Sequence, residues 1–307
     1  MLESINDWVD RLSSKPLPVM RQTLTRVDDL LNNPHTSLTR LSEVVGLDPG
    51  FSLYLFRYLN ALPRRPREPI SKIPNMISIL GLVALEQAGA GLPVLEERLK
   101  GSARIGLAGC YSRAAHATVY AAGLAKRRGQ KDPQAFVTAA LLHDIGEMAL
   151  WSQAPEVMRD IQRLTTQGRG RENAALEVLG FPFEALNQQL GKRWRLPALV
   201  QEAQGLFNSY KPQPLTVMLA CAIARASALD WHQHELTDYL ELLADFLDIS
   251  GDEAQASIHQ LAAQAARELY QLPLPLSVHR LIPIPSRRES ATNHPDVQKT
   301  KSAHRAA

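Results

Sequence analysis

Residues 135–150, AFVTAALLHDIGEMAL, set a histidine beside an aspartate, and this doublet, His143-Asp144, is the one pair in the chain with an obvious catalytic reading. Imidazole and carboxylate are both ligands for a divalent cation, and a bound cation can activate water. Such an ion needs several deprotonated ligands to replace its hydration shell, so two neighbouring ones hold it badly. Elsewhere the candidates thin out. No GxxxxGK(S/T) or GxGxxG run is present, and Gly146, three residues past His143, suits close helix packing better than a phosphate cradle. Cys110 and Cys221 lie far apart with no CxxC partner and read as small buried hydrophobes. In Trp231-His232-Gln233-His234 the alternating histidines do not share a helical face, which favours a solvent-facing turn over a metal site. Trp151, Trp194 and Trp231 read as packing residues.

Helices must position all of these groups. Leucine and alanine dominate, and no stretch alternates β-branched with polar residues over a strand's length, so the class is all-α. Apolar spacing and caps predict helices over Met20 to Leu31, Ser37 to Val45 (capped by Ser37), Pro49 to Leu62 (capped by Asp48) and Pro74 to Ala90. A basic, proline-rich loop, Pro63 to Pro69, interrupts them. An alanine-rich helix follows over Ser112 to Arg128, and a further one starts at Asp132-Pro133 and runs unbroken through His143-Asp144 to Trp151. Later helices are expected over Ala154 to Gln167, Arg171 to Leu179, Phe183 to Trp194, Pro197 to Leu206, Val217 to Leu229, His234 to Leu247 and Asp252 to Leu272. From about Ile282 periodicity is lost, which predicts a disordered tail over 282–307.

Bulk properties exclude several classes. With 34 basic against 31 acidic side chains, the net charge of +3 is too balanced to imply nucleic acid or an anionic membrane from charge alone. No run approaches the roughly 20 apolar residues that a spanning helix requires, so no membrane anchor is expected. The start, MLESINDWVDRL, lacks the basic and apolar regions of a signal peptide, and two cysteines indicate no disulfide framework; a cytoplasmic setting is expected.

Three segments, in order, carry a family likeness. Residues 17–61 hold a leucine-proline start, a helix, a helix ending before Asp48-Pro49 and a helix ending at Asn60-Ala61. Residues 70–87 hold an isoleucine-rich loop and then Leu80-Gly81. Residues 135–150 hold the His-Asp segment, and Glu177, Gly180 and the run Trp194-Arg195-Leu196-Pro197 follow. Over roughly residues 15–210 the chain resembles the HDOD proteins, relatives of the HD metal phosphohydrolases. The resemblance implies an HD-like helical bundle: a part of HDOD over 1–110, a bundle over 111–212 and a helical extension over 213–281.

In the HD enzymes, the likeness implies, His and Asp join a histidine from the preceding helix and an aspartate from a later one to hold the metal that activates water against a phosphoester. Here the matching positions are Arg113 and Cys221, and histidines of many relatives are replaced by Phe183 and by Phe207-Asn208. His116, one turn past Arg113, is the substitute ligand an active site would need. The favoured reading is therefore a vestigial His143-Asp144 pair, without catalytic residues, metal or cofactor, in a signalling or scaffold protein that binds protein partners and, in the remnant pocket, a small ligand. A buried Asp144 needs a partner, and Arg113 is the expected one. Two alternatives stand beside it: a metal-dependent phosphohydrolase using His143, Asp144 and His116, and a DNA-binding helix-turn-helix over 37–59 whose recognition helix offers only Arg57.

Overall fold

The computed structural model describes residues 3–63, 69–272 and 274–275. The expected tail and most of the proline-rich loop lie outside these residues. The described residues form helices and no strand, apart from one isolated parallel bridge between Val19 and Val94.

Six helices open the chain: α1 (Ile5–Ser13), α2 (Arg21–Leu31), α3 (Leu38–Val45), α4 (Pro49–Ala61), α5 (Ile73–Gly91) and α6 (Leu95–Arg98). The caps read from sequence are in place. Ser37 accepts from the Arg40 N–H, and Asp48 accepts from the Phe51 N–H ahead of Pro49. Helices α1 and α6 were not anticipated. A capping box between Ser4 and Asp7 starts α1, and it buries Trp8, Val9 and Leu12. Helix α5 is the one described helix long and apolar enough for a membrane span, which the reading of apolar runs had passed over. Gly81 breaks it internally at φ 76°, ψ 175°, a backbone that side-chain-bearing residues avoid.

The remaining helices are α7 (Gly101–Arg127), α8 (Gln134–Leu141), α9 (Ile145–Gln153), α10 (Pro155–Thr166), α11 (Arg171–Leu179), α12 (Phe183–Arg193), α13 (Ala198–Glu202), α14 (Pro212–Leu229), α15 (His234–Leu247) and α16 (Gly251–Leu269). A short 3-10 turn, Leu206–Asn208, follows α13. Helix α7 is the axis, packed by α8, α9, α14 and α16. It starts eleven residues before the expected Ser112, because Gly101, Gly106 and Gly109 depress helix propensity locally while packing overrides it. At Gly106 the Trp151 indole of α9 lies where a β-carbon would stand, so only glycine permits this approach. One continuous apolar core runs from Trp8 through α7 to the last helix, and the Tyr111 hydroxyl of α7 donates to the Pro18 carbonyl at 2.6 Å.

The single helix expected through the His-Asp doublet is two helices. The chain leaves helical geometry at Leu142 and Asp144, so the doublet sits in the corner between α8 and α9. Early in α9 the Gly146 N–H, an orphan donor of a new helix start, donates to Asn187 Oδ1 of α12 at 2.7 Å.

Candidate functional site

The corner aims His143 and Asp144 towards three other helices. His143 Nδ1 lies 2.9 Å from Asp144 Oδ1, and Nε2 lies 3.1 Å from the Ala203 carbonyl beyond α13. Both ring nitrogens thus lie within hydrogen-bond distance of oxygen atoms. Buried Gln204 donates to the His143 carbonyl at 2.9 Å and to Val200 at 3.2 Å, fixing the segment after α13 against the corner.

Asp144 is held by arginines, but not by the expected one. Arg225 of α14 donates to Oδ2 at 2.7 Å, and Arg171, the first residue of α11, lies 3.6 Å from Oδ1. Arg113 of α7 instead pairs with Glu147 of α9 at 2.6 Å and touches the Cys110 sulfur at 3.2 Å. Among the described residues it reaches Asp144 only through Glu147 and Arg171, which bridges the two carboxylates at 3.0 and 3.6 Å. The sequence reading passed over Glu147, Arg171 and Arg225. Spacing could have found two of them, since Glu147 stands three residues past Asp144, in the first turn of the helix that Asp144 precedes, and Arg225 stands four past Cys221 on one face of α14.

Electrostatics follow from this lattice. The side chains of Asp144 and Glu147 are only 13% and 10% exposed. Burial alone would raise both carboxyls. For Asp144 the charges of Arg225, Arg171 and His143 outweigh it and hold the carboxyl well below its ordinary range. For Glu147 burial is overcome by Arg113 and Arg171, leaving it at about 2. Burial likewise pushes the Cys110 thiol up, reinforced by Glu147 beside it, so Cys110 donates to Glu147 Oε1 at 3.3 Å as a neutral group. Cys221 is buried next to the Ala140 carbonyl, 3.8 Å away, with its thiol also raised by burial.

His116 does not join the cluster. It is buried in α7 with Nδ1 2.8 Å from the Ser112 carbonyl and its ring edge against Tyr120; burial lowers its pKa. Phe183 packs under Arg171, whose guanidinium lies 4.2 Å from the ring centroid. Phe207 and Asn208 lie on the 3-10 turn, where Phe207 is 85% exposed. Trp151, Trp194 and Trp231 are buried, and His234 is exposed at the start of α15. Arg57, the one base-reading candidate in α4, donates to the Ser13 and Lys15 carbonyls at 2.8 and 3.2 Å, and the helix buries most of its other side chains. A recognition helix would need those donors free.

A divalent cation does not fit these residues. Among the described residues no group of three or more His, Cys, Asp or Glu side chains is placed to hold one. The oxygens of Asp144 and Glu147 already face guanidinium groups, whose charges would repel a metal.

A family model described as the HDOD domain matches residues 17–207. Among solved structures, the MmoQ response regulator from Methylococcus capsulatus str. Bath is 20% identical with a TM-score of 0.62, the match covering 80% of this chain and 98% of that one. A virulence factor (cj0248) from Campylobacter jejuni subsp. jejuni is 16% identical with a TM-score of 0.63, covering 87% of this chain and 98% of the other. At these identities the likeness speaks for the fold. Among curated protein sequences nothing matches.

Proposed function

Because the chain belongs to the HDOD domain family, we propose that it is a signalling protein that acts by binding a protein partner and catalyses no phosphoester hydrolysis. One observation carries the reading. Where a metal phosphohydrolase needs free carboxylates, Asp144 and Glu147 are each clamped by two arginines drawn from α7, α11 and α14. The doublet then works as a structural knot. His143 and Gln204 tie the corner between α8 and α9 to the segment that leads into the 3-10 turn. That turn and the residues after it present Leu206, Phe207 and Tyr210 to solvent, each at least 75% exposed. Large apolar side chains standing together on a braced loop suit protein recognition better than isolated ones do. The similarity to the MmoQ response regulator supports a place in signal transduction.

Two measurements test this. Metal analysis of the purified chain, with phosphodiesterase assays in added manganese or magnesium, should find neither stoichiometric metal nor turnover above the Asp144→Ala background; metal-dependent turnover abolished by Asp144→Ala would overturn the reading. A pull-down comparing the wild type with Phe207→Ser/Tyr210→Ser should lose its partner in the variant, and unchanged recovery would remove the loop from the proposal.

A further inference from the structure

A cleft of about 480 Å³ opens where α1, α4 and the end of α12 meet, and it shares no lining residue with the His143-Asp144 knot. Two of the sequence landmarks that the knot leaves unused build it. Asn60, at the end of α4, donates through Nδ2 to the carbonyls of both Trp194 and Arg195, each at 3.0 Å. Arg195 is thereby fixed at φ 51°, a left-handed backbone that costs a non-glycine residue free energy and persists only where its surroundings enforce it.

The wall is rich in donors and poor in acceptor side chains. Arg57, Arg193 and Arg195 line it, and Asp10 is the one carboxylate opposite them. Arg193 pairs with Asp10 at 2.8 Å; Arg57 is spent on backbone carbonyls beneath the Trp194 ring, 5.3 Å from its centroid. Arg195 is exposed and makes no ion pair with a described residue. Three guanidinium groups against one carboxylate leave two positive charges, the complement of a phosphate dianion. Trp194 is 5% exposed, and its indole N–H, itself shielded from solvent, has no hydrogen-bond acceptor among the described residues. The volume falls within the range of small-ligand sites.

We propose that this cleft binds a phosphate dianion, free or as the monoester of a small metabolite, through Arg193 and Arg195, with the buried Trp194 indole beside them as the reporter of binding. The full chain, labelled with nitrogen-15, is titrated separately with inorganic phosphate, 5′-AMP and 5′-GMP while its indole N–H resonances are followed. Four tryptophans give few signals, and Trp194→Phe identifies the relevant one. Saturable movement of the Trp194 resonance is expected, weakened about tenfold or more in Arg193→Gln and in Arg195→Gly. The glycine variant removes the guanidinium while suiting the left-handed backbone, so its fold is retained. Saturation by inorganic phosphate alone identifies free phosphate as the ligand, and tighter binding of one nucleotide identifies the monoester. No saturable movement with any probe up to about 10 mM, or equal affinity in both variants, overturns the proposal.

Discussion

Asp144 Oδ2 accepts a hydrogen bond from the Arg225 guanidinium at 2.7 Å across 81 residues of sequence, joining the corner of the His-Asp doublet to helix α14. A buried carboxylate deprived of its nearest cation keeps its desolvation cost and loses most of its compensation. Arg225→Met is therefore expected to destabilise the chain by about 3 kcal/mol, whereas Arg225→Met combined with Asp144→Asn recovers a large part of that loss. Urea unfolding of both single variants and the double variant gives the coupling directly. Strictly additive losses would show that the ion pair contributes no specific interaction.

Glu147 and Asp48 titrate with opposite consequences for stability. The folded pKa of Glu147 is depressed to about 2 from an ordinary value of 4.5, so its contribution is present above pH 4.5 and is lost as pH falls towards 2. That window corresponds to about 3 kcal/mol. Asp48 is fully buried and accepts from the Met20 and Phe51 N–H groups, yet burial lifts its carboxyl to about 6. Its folded form binds the proton more tightly than the unfolded chain does, so its ionisation lowers stability as pH rises from about 4 to about 6. Urea midpoints measured from pH 2.5 to 7 should rise up to about pH 4.5 as Glu147 ionises, fall towards about pH 6 as Asp48 ionises, and flatten above it. In Glu147→Gln the rising limb should shrink, and an unchanged limb would assign the acid sensitivity to other carboxylates.

Much of the fold could be read from local chemistry. Ser37 and Asp48 cap helices where their types and positions indicated, and α11 and α15 begin and end where periodicity placed them. Local signals failed where distant packing decides. The glycines of early α7 conceal a helix that Trp151 stabilises from α9, and the break at the doublet depends on Asn187 and Ala203, 41 and 60 residues away. The sequence identified the vacated ligand position at Arg113 but not its actual partner. Pairing among three arginines and two carboxylates depends on which helices adjoin, and no spacing rule states that α14 returns beside α8.

Gly146 should tolerate no side chain. A β-carbon there would stand 2.7 Å from Asn187 Oδ1 and 3.1 Å from the Leu186 side chain, both on a packed helix. Gly146→Ala is expected to cost about 2 kcal/mol through overpacking, despite alanine's better helix propensity. Asn187→Ala orphans the Gly146 N–H and should cost about 1 to 3 kcal/mol. The double variant should lose less than the sum, because truncating Asn187 makes room for the methyl group. Thermal denaturation of the three proteins decides it, and a neutral Gly146→Ala would mean that α9 and α12 stand farther apart than described.

The stretch from Pro214 onward lies beyond the residues matched by the family model, and its first helix joins the central packing. Helix α14 lies along α7, buries Val217, Ala220, Cys221, Ile223 and Ala224, and delivers Arg225 to Asp144. Removing it exposes the apolar flank of α7 and leaves Asp144 without its nearest cation. Each large aliphatic side chain so lost forfeits roughly 1.5 to 3 kcal/mol, and two or three of them exhaust the margin of an ordinary domain. A chain ended at Tyr210 is therefore expected to lose cooperative unfolding and to bind a dye specific for exposed apolar surface, even though it retains all of the residues matched by the family model. A chain ended just after α14, at Asp230, should recover part of the cooperative transition. Calorimetry on the two truncations makes the comparison. A sharp, native-like transition from the shorter chain would show that α14 is an appendage after all, and would place the stabilising interactions of Asp144 with Arg171 and His143 alone.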